Sequence, residues 1–156
     1  MTLFLLVKVA HIIGGAVLLG TGAGIAFFML MAHRTGDARL IAHTAGVVVV
    51  ADGLFTATAV ILQPVTGAAL VFLSGRSLFE GWIITSLGLY VVTGAFWLPV
   101  VWMQMRMRNL ALAAASTGSQ LPPAYHRLWR LWFAFGFPAF ASVLAIIGLM
   151  TAQPSF

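Results

Sequence analysis

The sequence predicts an all-α fold, an integral membrane bundle of four antiparallel helices running up-down-up-down. Three observations predict it. Hydrophobic residues make up 62% of the 156-residue chain and charged residues only 7%, against roughly 25% charged in a soluble domain. Polar side chains are too few to cover the outside, so hydrocarbon must take the place of water. Four apolar runs, near residues 3–31, 44–73, 81–105 and 127–151, each reach the roughly 20 residues that cross a bilayer core. The runs do not alternate as barrel strands do, and an open sheet edge has no hydrogen-bond partner in lipid, which leaves helices. One transmembrane domain over 1–156 is expected.

The opening run has no basic start before its apolar stretch and is too long for a signal-peptide core, so it is expected to remain as the first helix. It carries Gly14, Gly15, Gly20, Gly22 and Gly24. Gly20 and Gly24 form a small-xxx-small pair through which another backbone could approach closely. A short link from His33 to His43 leads to the second run, which holds Asp52, Gln63 and Pro64. Gly75 to Glu80 then joins it to the third run, and both links are short enough to favour antiparallel neighbours. The stretch from Arg106 to His126, with Ser116-Thr117-Gly118-Ser119 and Pro122-Pro123, reads as the longest connection and a solvent-exposed loop. Pro64, Pro99 and Pro138 fall in or near the last three runs. Each should kink its helix or free a carbonyl that neighbouring groups must satisfy. Trp82, Trp97, Trp102, Trp129 and Trp132 lie mostly toward span ends, where interfacial aromatics belong.

The pI near 11.3 does not indicate a nucleic-acid partner. The net charge is only +5, and its arginines sit at the ends of apolar runs, the placement of membrane-flanking charge. Arg34 and Arg39 mark the first link and Arg106, Arg108, Arg127 and Arg130 the third, whereas the second has Arg76 alone. By the positive-inside rule the first and third links face the cytoplasm and both termini the periplasm of a bacterial inner membrane. Cysteine is absent, which excludes disulfides, Cys-ligated zinc, iron–sulfur clusters and thiol catalysis by this chain. Nor does any nucleophile–base pair, phosphate-cradling Gly loop or carboxylate pair stand out. The partners expected are the lipid bilayer and either a second copy of the chain or other subunits of a membrane complex.

Intramembrane polar residues are costly, which makes Lys8, His11, Asp52 and Gln63 the candidate functional residues. A neutral imidazole at His11 could ligate haem iron or relay a proton, or could instead make an interhelical hydrogen bond, for example to Gln63 at similar depth. Lys8 shares a helix face with His11 and could meet an anionic group such as a propionate, or snorkel to the interface. Asp52 suits either proton transfer or a structural bond to a Thr or Ser of a neighbouring helix. His33, His43 and His126 flank the spans and read as interfacial, with no Cys or carboxylate pattern to make them a metal site. Met103, Met105 and Met107 alternate with polar residues, but a spacing of two puts them on different helix faces, which argues for packing and against a copper motif.

Several segments carry a family resemblance. They are Lys8-Val9-Ala10-His11-Ile12, Ala51-Asp52-Gly53, Gln63-Pro64-Val65-Thr66-Gly67, Gly94-Ala95-Phe96-Trp97-Leu98-Pro99 with Gln104, and Trp132-Phe133-Ala134-Phe135-Gly136-Phe137-Pro138-Ala139. Together they resemble a bacterial family of predicted four-helix integral membrane proteins of unknown function. More distantly, the Lys8-x-x-His11 opening, the Pro-containing second run and the Gln153-Pro154 ending are similar to haem-binding membrane protoporphyrinogen oxidases and copper-resistance type D membrane proteins. That similarity implies haem b ligated by His11, with Lys8 beside it, and redox or tetrapyrrole-related membrane chemistry. The helix 3 histidine of the oxidases has no counterpart, for Gly94-Ala95-Phe96-Trp97 stands there. The alternative expectation is a non-catalytic structural or accessory subunit of a larger membrane complex.

Overall fold

Backbone N–H and C=O groups in hydrocarbon must be paired within their own segment, and the chain answers with helix almost throughout. A computed structural model describes residues 2–155. Among the described residues there are four membrane-length helices: α1 (Leu3–Thr35), α2 (Ala38–Ser74), α3 (Gly81–Thr117) and α4 (Pro123–Ala152). Several hydroxyls inside them are also satisfied locally. Thr58, Ser86 and Thr93 donate to the carbonyls of Leu54, Trp82 and Leu89, one turn back in each case.

The helices run further than their apolar stretches. Read from sequence as a loop, His33 to His43 is in fact mostly helix, with the turn confined to Gly36 and Asp37. Gly36 takes the left-handed conformation (φ 66°) that a glycine after a helix end adopts without steric cost. The Asp37 side chain then accepts from the Arg39 N–H at 2.7 Å and caps α2. The expected long loop from Arg106 to His126 is likewise corrected: α3 continues to Thr117 and α4 begins at Pro123. The residues between Leu110 and Ala115 are alanine and leucine, the strongest helix formers. Met107, Ala111 and Ala114 give that extension a buried face.

Packing is uneven along the bundle. One core cluster joins Met29, Ile41, Met103, Met107, Tyr125 and Trp129 with their neighbours, and all of these lie on the half nearer the first and third connections. α3 packs against α4 along their lengths, while α2 changes partner partway. Its first half lies chiefly on α3, its second half chiefly on α1. The change occurs at a π-helical turn, Asp52–Thr56, where the wider turn rotates the residues that follow relative to those before it. Large apolar residues such as Ile61, Val65, Val91 and Leu98 point outward, as lipid-facing side chains do.

Candidate functional site

The π turn places Asp52 inside the bundle, 3% exposed, within about 6 Å of the middle of α2 along its axis. Trp97 of α3 donates its indole N–H to Asp52 Oδ1 at 3.2 Å. Gln104, two turns further along α3, is buried too. Its amide takes the orientation that pairs donors with acceptors. The nitrogen donates to Asp52 Oδ2 at 3.1 Å and the oxygen accepts from the Trp132 indole of α4 at 3.2 Å. Three helices are thus tied by a directional chain that ends on a carboxylate with both oxygens accepting. One turn on, the Thr56 hydroxyl is buried with no hydrogen-bond partner among the described residues.

These partners correct two expectations. Asp52 bonds a tryptophan and a glutamine of α3, and not a Thr or Ser of a neighbouring helix. Trp97 and Trp132 serve the interior with their N–H groups, which buried indoles must pair somewhere. The usable signal in the sequence was Gln104, a polar residue at the end of the third apolar run.

A second polar site sits about 10 Å from the middle of α2 toward the second connection. The His11 ring Nδ1 lies 2.8 Å from Thr66 Oγ1. Gln63 does reach across, but to the backbone: its Nε2 donates to the His11 carbonyl at 2.8 Å. Two glycines make the crossing fit. A Cβ on Gly14 would stand 2.4 Å from Gln63 Nε2, and one on Gly67 would stand 3.4 Å from His11 Cε1. Close approach therefore uses Gly14 and Gly67, and not Gly20 and Gly24, whose Cβ positions meet no other part of the chain beyond the Phe28 ring. Lys8 turns outward, its Nζ 6.0 Å from the Phe4 ring centroid one turn back, a snorkelling pose. Nearby, Pro64 lacks the N–H that would have bonded the Val60 carbonyl, and the Tyr90 hydroxyl of α3 donates to that same oxygen.

His33, expected at the interface, stacks on Trp129 at 4.0 Å between centroids and 10° between planes. Its Nδ1 lies 3.2 Å from the hydroxyl of the fully buried Tyr125. Trp129 in turn stacks on Trp132 at 5.2 Å, so aromatic contact connects the first link to the Asp52 node. His43 and His126 are exposed. Among the described residues no three His, Asp or Glu side chains gather to hold a metal ion.

At the opposite end, Arg76 pairs with Glu80 at 2.8 Å and donates to Gln153 Oε1 at 3.1 Å. Trp82 donates to the same Glu80 carboxylate at 2.9 Å. Partial desolvation pushes the Glu80 carboxyl up, but the hydrogen bonds from Arg76 and Trp82 and the Arg76 charge outweigh it and hold the group below its ordinary range.

The family model for DUF2269, described as a predicted integral membrane protein, matches residues 5–154. No curated protein and no solved structure matches the chain.

Proposed function

The chain belongs to the DUF2269 family of predicted integral membrane proteins, and from that premise we propose that it is a non-catalytic structural or accessory subunit of a membrane assembly. The observation that carries this reading is the use made of the intramembrane polar groups. Asp52, Gln104, Trp97 and Trp132 bond one another, Gln63 and Thr66 hold His11, and Tyr90 holds the Val60 carbonyl. Their chemistry is spent on joining helices, which is how buried polar residues define one arrangement of a bundle in lipid. The side of α1 bearing Gly20 is left open for a second copy or another subunit. The cation distribution supports a bacterial inner membrane, with the Arg34, Arg39, Arg127 and Arg130 end in the cytoplasm and both termini in the periplasm.

Haem b on His11, with redox or tetrapyrrole-related chemistry, is the second reading. One observation favours it: Nδ1 is held by Thr66, as the outer nitrogen of a ligating histidine usually is, which leaves Nε2 for iron. The surroundings fit poorly. Gln63 fills the crossing of α1 and α2, the ring edge abuts Gly67, and Lys8 points away toward Phe4. Bound there, haem would supply electron transfer.

A visible spectrum of the protein purified in mild detergent, taken with its His11→Ala variant, separates the two. A colourless preparation that runs as a dimer or retains a stoichiometric partner is the expected result. A haem band that disappears in His11→Ala would overturn the subunit reading.

A further inference from the structure

A groove of about 570 Å³ runs between α2 and α3, lined by none of the polar residues of the two sites described above. Its apolar lane is lined by Gly46, Val47, Val50 and Phe55, and at the headgroup end stand His43 and Arg108. From Phe55 to His43 the lane is about 18 Å long at 1.5 Å per residue, close to the roughly 15 Å of one bilayer leaflet. Phe55 is adjacent to the middle of α2. Arg108 follows the end of the third apolar run by three residues, the place of a membrane-flanking cation at headgroup depth.

We infer that this groove binds one anionic phospholipid of the leaflet adjoining the first and third connections, an acyl chain lying over Gly46 and the phosphate meeting Arg108. Charge complementarity selects this occupant. Among the described residues the one ion pair is Arg76 with Glu80, so the Arg108 charge is uncompensated. Its guanidinium uses Nε and one Nη on Asn109 Oδ1, at 3.2 and 3.1 Å, leaving the other Nη free to donate to a phosphate oxygen. Gly46 keeps the lane open: a Cβ there would meet nothing within 4 Å. The inference rests on the membrane placement and not on the subunit reading, so the two can fail separately.

Native mass spectrometry of the detergent-purified protein, titrated with phosphatidylglycerol or with phosphatidylcholine of the same chains, tests it. One phosphatidylglycerol per chain should be retained in preference to phosphatidylcholine. Arg108→Gln should weaken that binding about fivefold. Gly46→Leu, whose Cβ meets no neighbour within 4 Å and whose side chain enters the lane, should weaken binding of both lipids. Arg106→Gln, outside the groove, should leave it unchanged. Equal retention of the two lipids, wild-type binding by Arg108→Gln and Gly46→Leu, a loss in Arg106→Gln as large as in Arg108→Gln, or displacement of the lipid by inorganic phosphate would each overturn the site.

Discussion

The two ends of the bundle are held together by different means. Near the first and third connections, side chains from all four helices interlock around Met29, Ile41, Met107 and Tyr125, each 0% exposed. Toward the second connection buried apolar residues are fewer and polar contacts join the helices: Gln63 on a carbonyl, His11 on Thr66, Tyr90 on the oxygen that Pro64 leaves free. The difference teaches how a bundle is fixed in a solvent as apolar as its own side chains. Hydrophobic residues gain nothing from burial against lipid, so association comes from close packing where shapes allow it and from hydrogen bonds where they do not. The Asp52 node marks the boundary, and the π turn there hands α2 from one partner to the other.

Removing packing at the tight end should have the largest effect. Tyr125→Ala deletes a fully buried ring and is expected to cost about 3 kcal/mol, read as a lower midpoint in an SDS unfolding titration. A midpoint within error of the wild type would mean that the interlocked end is not the stronger one. Next comes the boundary. Asp52→Asn puts a donor where the Trp97 and Gln104 N–H groups both require an acceptor, and one unsatisfied pairing should cost about 2 kcal/mol. Unchanged stability together with lost activity of any host complex would instead assign Asp52 a proton-carrying role.

At the open end, Tyr90→Phe should cost about 1 kcal/mol, because the Val60 carbonyl loses its partner. Pro64→Ala in the same background restores an N–H to that carbonyl and should recover the loss. A Pro64→Ala change that rescues nothing would show that the hydroxyl is not compensating for the proline. The smallest effect is expected at Glu80. Its folded value lies below the unfolded one of roughly 4.3, so its contribution is present above that pH and is lost as pH falls through the folded value. Acidification should therefore loosen the second connection, seen as faster proteolysis there. Glu80→Gln should flatten that pH dependence; cleavage that stays equally pH-dependent in Glu80→Gln would rule the carboxylate out.

Much of this was legible without coordinates, though not evenly. Asp52, His11 and Gln63 stood out because an ionisable or amide side chain deep in an apolar run has a high desolvation cost. Their partners did not stand out. Gln63 was one partner open to the His11 ring and meets its carbonyl instead, since that choice depends on the rotation of α2 after the π turn. Trp97 and Trp132 read as interfacial, because an indole looks the same in sequence whether its N–H faces headgroups or a buried carboxylate. Gly20 and Gly24 matched a packing motif, yet Gly14 and Gly67 make the close approaches.

What the sequence determined by itself is the number and type of the elements and their medium. The length and apolarity of a run are properties of that segment alone, and hydrocarbon leaves a backbone little choice but helix. What only the tertiary structure decided is which faces meet: the π turn at Asp52, the Trp97–Asp52–Gln104–Trp132 chain and the lipid-facing groove below Arg108. The last two join residues from different helices, and a helix's rotation about its axis is set by its neighbours, by terms too small and too mutual to be read from one run at a time.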